Sequence, residues 1–319
     1  MAALARFFIP AADEVGRLQS GNDEECLLFQ KIAEQGHYAG RTKPSSTRQG
    51  TYATTADGQL LISWNTNDPR VVTSKLRQAI AKWQELRKSE EPPPDLPALD
   101  EEKLNREERF YPRNGLVLRV NTRDLPRDPP QEGRYAQAWN QDFAWFQKDE
   151  ARQLMPPALT VDATHQVPRA LVDRLARMHL VDNVRGQTTH FPKGAARELT
   201  LTSRITALEG DVVTLRLEGR TKTLEEGRWS IGGFRDADRP TAQSRGIELA
   251  LLGRARYDIK QEKFVAFELV AAGMRHGGTQ YNGRQRDLDP APFGALLTLA
   301  GETPAERVPP EHFWAYGWK

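Results

Sequence analysis

Two stretches of this chain concentrate side chains able to do chemistry. The first, MHLVDNVRGQTTHF (178–191), sets His179, Asp182, Asn183, Arg185 and His190 in close succession. The second, RHGGTQYNGRQRD (275–287), offers Arg275, His276, Gln280, Tyr281, Asn282 and Arg284. Histidine titrates near neutral pH and can move a proton or lend a nitrogen to a metal. Arginine grips a carboxylate or phosphate through two parallel N–H bonds. Glycine lets a backbone approach a ligand closely. If both stretches line one cleft, it would hold a small or anionic ligand, with Arg185 and Arg284 on the negative charge and His179, His190 or His276 titrating beside it. The competing reading is structural. Asp and Asn after a helix exit bond their own backbone, and Gly-Gly and Asn-Gly make turns.

Familiar reaction motifs are missing. There is no GxxxxGK[ST] phosphate loop, no GxGxxG opening a helix, no GxSxG elbow and no HExxH zinc helix. The six histidines are scattered, without the short paired spacing of metal ligands. No cofactor is expected, and an enzyme, for example a metal-dependent hydrolase, would have to assemble its centre from His179, His190, His276 and Arg185. Aromatics cluster at Trp139, Phe143, Trp145 and Phe146 and in the tail FWAYGW. A core or inter-domain plug is the expected use of both groups.

The elements that must position these residues follow from patterning. From Arg197 the pattern has period two: ARELTLTSRITAL and DVVTLRLEGRTKTL meet at Glu209-Gly210-Asp211, and GIELALLGRARYDI and KFVAFELVAAGM meet at Lys260-Gln261-Glu262. Long antiparallel hairpins with one buried face result. Val213, Leu215 and Leu217 point inward, as do Leu249, Leu251, Phe267 and Leu269. The other face carries Arg204, Arg216, Arg220, Arg254 and Arg256 with Glu218 and Glu268, a set suited to cross-strand ion pairing. GLVLRVNTRDL and APFGALLTLAGE supply further strands. VPRALVDRLARMHL is a helix beginning at Pro168, with Asp173 and Arg177 paired four apart.

Ahead of this lies a different pattern. Apolar FFIPAADE reads as a buried strand, Asp23–Gln35 as a helix, GTYATTADGQLLISW as a hairpin turning at Asp57-Gly58, and NDPRVVTSKLRQAIAKWQEL as a helix capped by Asp68-Pro69. The order of these elements resembles the later part of the thioredoxin fold, over residues 7 to 86. The resemblance implies a thiol–disulfide site, yet no CxxC precedes the first strand, Arg48, Gln49 and Gly50 stand where the family places a cis proline, and Cys26 is the sole cysteine. Disulfide exchange needs a thiolate and normally a resolving partner. The lobe is therefore degenerate and its expected role is docking. The whole chain also resembles bacterial proteins of unassigned activity, which adds no site residues.

The fold class expected is α+β: a degenerate thioredoxin-like lobe at 1–90, a proline-rich linker at 91–108 marked by Pro92-Pro93-Pro94, and a larger domain with helices at 109–319 built on a long-stranded antiparallel sheet or open barrel. The 319 residues suffice for two cores. Lys and Arg number 45 against 43 Asp and Glu, so the net charge of +2 gives no general attraction to nucleic acid. No run approaches the roughly 18 apolar residues of a membrane span, and MAALARFFIPAADE lacks the apolar stretch of an export signal. A cytoplasmic, non-redox binding protein with a protein partner or small ligand is the expectation.

Overall fold

A computed structural model describes residues 4, 7–9, 15–39, 47–66, 68–88, 109–231, 240–303, 306 and 308–318. The chain divides into two units, Met1–Leu104 and Asn105–Lys319. The linker read at 91–108 lies outside the described residues.

In the first unit, α1 (Val15–Ser20) precedes α2 (Glu24–Glu34), which starts where the Asp23 carboxylate accepts the Cys26 N–H at 2.8 Å. Cys26 is fully buried, and its thiol also donates to Asp23. β1 (Thr51–Thr54) and β2 (Leu60–Trp64) pair antiparallel around the Asp57-Gly58 turn, where Gly58 takes a φ of 84° that only glycine adopts without strain. α3 (Pro69–Leu86) is capped by Asp68 and lays Val72, Leu76 and Ala79 on the core of Ala53, Leu61 and Trp64. The strand expected from Phe7 does not form at its described residues 7–9. Phe7 and Ile9 are 73% and 83% exposed, and only Phe8 reaches the core. β1 and β2 each keep one open edge, and residues 7–9 pair with neither; Phe8 is held by side-chain packing alone.

The second unit is one eight-stranded antiparallel sheet. Its strands are β3 (Leu116–Asp124), β4 (Trp139–Phe146), β5 (Thr164–Gln166), β6 (Ala196–Glu209), β7 (Val212–Trp229), β8 (Thr241–Asp258), β9 (Lys263–His276) and β10 (Ala291–Leu299). They lie in the order β4-β3-β10-β9-β8-β7-β6-β5. One face is largely apolar: Leu118, Val120, Ile205, Leu215, Leu217, Leu249, Leu269 and Leu297 are at most 2% exposed. Against it pack α4 (Lys148–Arg152), α5 (Arg169–Arg174, continued as one π turn Leu175–His179) and the loop through Leu180, Val184 and Phe191. A sheet covered on one side leaves its second face to solvent. That face is covered only in part among the described residues. Phe313 with Tyr316 and Trp318 of the C-terminal segment packs on Val117, Phe143 and Trp145. The aromatic groups at 143–145 and 313–318 thus form one plug within this unit. No helix of the described residues is long and apolar enough to cross a membrane.

Candidate functional site

The two polar stretches do meet. Gly186 abuts the backbone of Tyr281: a Cβ there would lie 2.3 Å from the Tyr281 carbonyl oxygen. The Thr188 and Thr279 hydroxyls are 3.1 Å apart, and Asn282 donates to the Asp182 carbonyl at 3.4 Å.

At the centre of the junction is Arg284, with no exposed surface. It donates to both Asp182 carboxylate oxygens at 2.7 Å, to Asp124 at 2.6 and 3.0 Å, and to Asp287 at 3.0 Å. Arg185 bonds Asp124 at 2.7 and 2.9 Å and lies 2.7 Å from Asp287. Arg275 and Arg127 also hold Asp287. Four arginines thus close on three aspartates brought from β3, the loop after α5, and the end of β9 with its following loop. Burial alone would lower the Arg284 pKa, but the bonds and charges of Asp182 and Asp124 outweigh it and raise it. Burial likewise pushes Asp287 up, and Arg127, Arg275 and Arg185 overcome this to hold it well below the usual carboxylate range. The space left here is a niche of about 10 Å³ beside Arg245, His276 and Asn282, room for one water at most. Arg185 and Arg284 therefore spend their donors on the chain's own carboxylates.

The histidines separate. His276 stands 3.3 Å from the Ser244 hydroxyl, its pKa lowered by burial and by Arg275 and Lys222. His190 packs its ring against His312 and Trp314, with Nδ1 2.8 Å from the Phe191 carbonyl. His179 is 1% exposed, at the last π turn of α5, with Nδ1 2.8 Å from Asp142 of β4 and Nε2 2.6 Å from the Tyr316 hydroxyl. A neutral ring protonated on Nδ1 satisfies every partner: Nδ1–H donates to Asp142, and Tyr316 donates to Nε2 while accepting the Trp145 N–H at 3.2 Å. Burial raises the Tyr316 pKa and so keeps this hydroxyl a donor. The relay ties the C-terminal segment over β4, the strand at one edge of the sheet. Glu311 joins it. Its backbone N–H donates to Asp142 at 2.8 Å, and its carboxylate accepts from Asn183 at 3.0 Å. Although Glu311 as a whole is exposed, its carboxyl end is turned against the buried Asn183, and the lost hydration raises its pKa to about 7. Gln280 and the 42% exposed Tyr281 lie at the rim of the junction. Among the described residues no three His, Cys, Asp or Glu side chains are placed to hold a metal ion.

A wider concavity lies elsewhere, on the outer face of the sheet. It is an open groove of about 710 Å³ bordered by Asn121, Arg123, Leu125, Trp139, Val270 and Leu296, among others. Cross-strand register explains it. Leu252, Val270, Leu296 and Asn121 form one row across β8, β9, β10 and β3. Ala250, Ala272, Gly294, Arg123 and Trp139 form the next, ending on β4. Small residues in the second row leave the floor low between the taller side chains. Gly294 also admits Leu125, whose Cδ2 would lie 3.0 Å from a Cβ at that position. Trp139 is 63% exposed, Leu252 54%, Val270 45% and Leu296 37%. Toward β6 and β7 the same face turns charged, with Arg254 3.3 Å from Glu268 and Lys222 2.7 Å from Glu248. Of the ion pairing expected there, Arg254–Glu268 forms across strands and Arg216–Glu218 along one, while Arg204, Arg220 and Arg256 form none among the described residues; the apolar half of the face was missed. The signal was available: the outward positions 252, 270, 274 and 296 are apolar in strands whose neighbours carry Arg and Glu.

Fold and groove together define an antiparallel-sheet unit with one closed face and one open, half-apolar face. Comparison of the chain with protein-family models, with curated proteins and with solved structures finds no match.

Proposed function

We propose that the larger unit is a binding module whose site is the outer groove, and that it takes an apolar small molecule. The observation that carries this reading is the exposed apolar row of Leu252, Val270 and Leu296, with Trp139 beyond Arg123, beside a recess of about 710 Å³. Contiguous exposed apolar patches mark binding surfaces, and this volume is within the range of small-molecule sites. Hydrogen bonders at the rim, Asn121 and Gln137, would orient the occupant. For the N-terminal unit we propose a docking role without thiol chemistry, supported by its lone, buried Cys26.

Nile red, an uncharged dye that brightens in apolar surroundings, tests the groove. The full chain should bind it saturably at one site and quench Trp139, and Leu296→Glu should abolish the binding. Arg254→Glu, on the charged part of the same face, should leave it unchanged. Non-saturable binding, or equal binding by Leu296→Glu, would refute the assignment.

A further inference from the structure

Resting on that reading of the groove, we propose that its occupant is a monoanionic amphiphile, an apolar body bearing one carboxylate, with Arg123 as the head-group anchor. Arg123 is the sole charged residue among those that line the groove, and no acid faces it there. It is exposed, and among the described residues it forms no ion pair; its hydrogen bond is a 3.4 Å contact with the Asp124 carbonyl. This sets it apart from its neighbours. Arg127, Arg185, Arg275 and Arg284 all have carboxylate partners. Asp124, the adjacent acid, is already engaged by Arg284 and Arg185.

Position and charge agree. Arg123 sits in cross-strand register between Gly294 of β10 and Trp139 of β4. A guanidinium there has an indole on one side and, on the other, Gly294 with the Leu125 side chain packed over it. A carboxylate can meet the fork of Arg123 bidentately, while the body runs over Ala272 toward Val270 and Leu296. One arginine balances one negative charge. A phosphate monoester, near −2 at neutral pH, would leave a charge unmatched over an apolar floor.

The test uses the full chain and two fluorescent polyene probes, cis-parinaric acid and its uncharged methyl ester. The acid should bind at least about 10-fold more tightly than the ester, as loss of a charged hydrogen-bonded pair implies. Arg123→Gln should remove that preference by weakening the acid alone, and Arg123→Lys should restore part of it. Because Arg123 is exposed, an unchanged melting temperature should accompany both variants. Equal affinity of acid and ester, unaltered by Arg123→Gln, would overturn the head-group assignment and leave the groove reading intact. Binding of neither probe, or a groove found by sedimentation to be covered by a second copy of the chain, would overturn both.

Discussion

Replacing Arg284 by Met tests whether the junction of the two loops is a structural lock. The side chain is wholly buried, and five of its contacts go to three carboxylates. Its loss falls unequally. Asp287 keeps Arg127, Arg185 and Arg275, and Asp124 keeps Arg185, but Asp182 retains only Arg275 Nε at 3.9 Å. Removing one partner from a buried ion pair typically costs about 3–5 kcal/mol. For a unit of this size each kcal/mol is worth roughly 2–4 °C, so the variant should melt on the order of 10 °C below the parent. Adding Asp182→Asn should recover part of the loss, because the orphaned charge goes with it. The difference should also depend on pH. Asp124 and Asp287 have folded pKa values below their ordinary ones. Their contribution is therefore complete above the ordinary carboxylate range and is lost as pH falls through the depressed values. Parent and variant should converge in acid. Urea unfolding from pH 7 down to about pH 1.5, below the ordinary carboxylate range, measures this. A loss below about 1 kcal/mol at pH 7, or a gap that does not narrow in acid, would show that the network is not what holds the loops.

Two further outcomes concern the same surroundings. Glu311, raised to about 7 chiefly by burial, binds a proton in the folded state that it would not hold unfolded, so stability should fall as pH rises from its ordinary 4.5 toward 7. His312, lowered to about 4 by burial, opposes this, since its contribution is complete above 6.5 and lost as pH falls toward 4. Glu311→Gln should leave only the rising limb and His312→Gln only the falling one, read by unfolding between pH 4.5 and 7.5; two variants that both follow the parent profile would disprove the assignment. Gly186→Val should force the loops apart, because a Cβ would meet the Tyr281 carbonyl oxygen at 2.3 Å. Backbone strain of this kind costs about 1–3 kcal/mol, and faster hydrogen exchange at both 182–191 and 279–284 is expected; unchanged exchange there would contradict the contact.

What was legible beforehand was local. Alternation alone orients Val213, Leu215 and Leu217 to the core, where they are at most 1% exposed. Asp57-Gly58 and Asp68-Pro69 carry their own geometry, and so does the Asp173–Arg177 pair at 2.7 Å. The partners of His179 were not legible: Asp142 is 37 residues away and Tyr316 is 137. Asp124 and Arg284 are separated by 160. No periodicity marks such pairs, because they depend on which strand lies beside which. The sheet order places β10 between β3 and β9, joining ends of the chain that sequence spacing keeps apart. The apolar run at Phe7 misled for a related reason. Apolar residues report burial somewhere, and Phe8 is used by the core of the hairpin without any strand forming at 7–9.

The distribution of charge in the larger unit then bears on where a ligand is recognised. Buried arginines at the loop junction are matched by aspartates, so an incoming anion would have to displace carboxylates held at 2.6–3.0 Å. Such a network specifies the loop arrangement and already engages the guanidinium groups that an anion would use. The relay of Asp142, His179 and Tyr316 is likewise satisfied at each atom and ties the C-terminal segment to the edge of the sheet. Both polar constellations are thus spent on structure. The groove on the outer face holds what is left over: apolar side chains in water and, among its lining residues, an arginine with no ion pair among the described residues. Binding is driven by what the free protein leaves incompletely satisfied, and on that ground the groove between Trp139 and Leu252, rather than the histidine- and arginine-rich loops, is the place to look for the ligand.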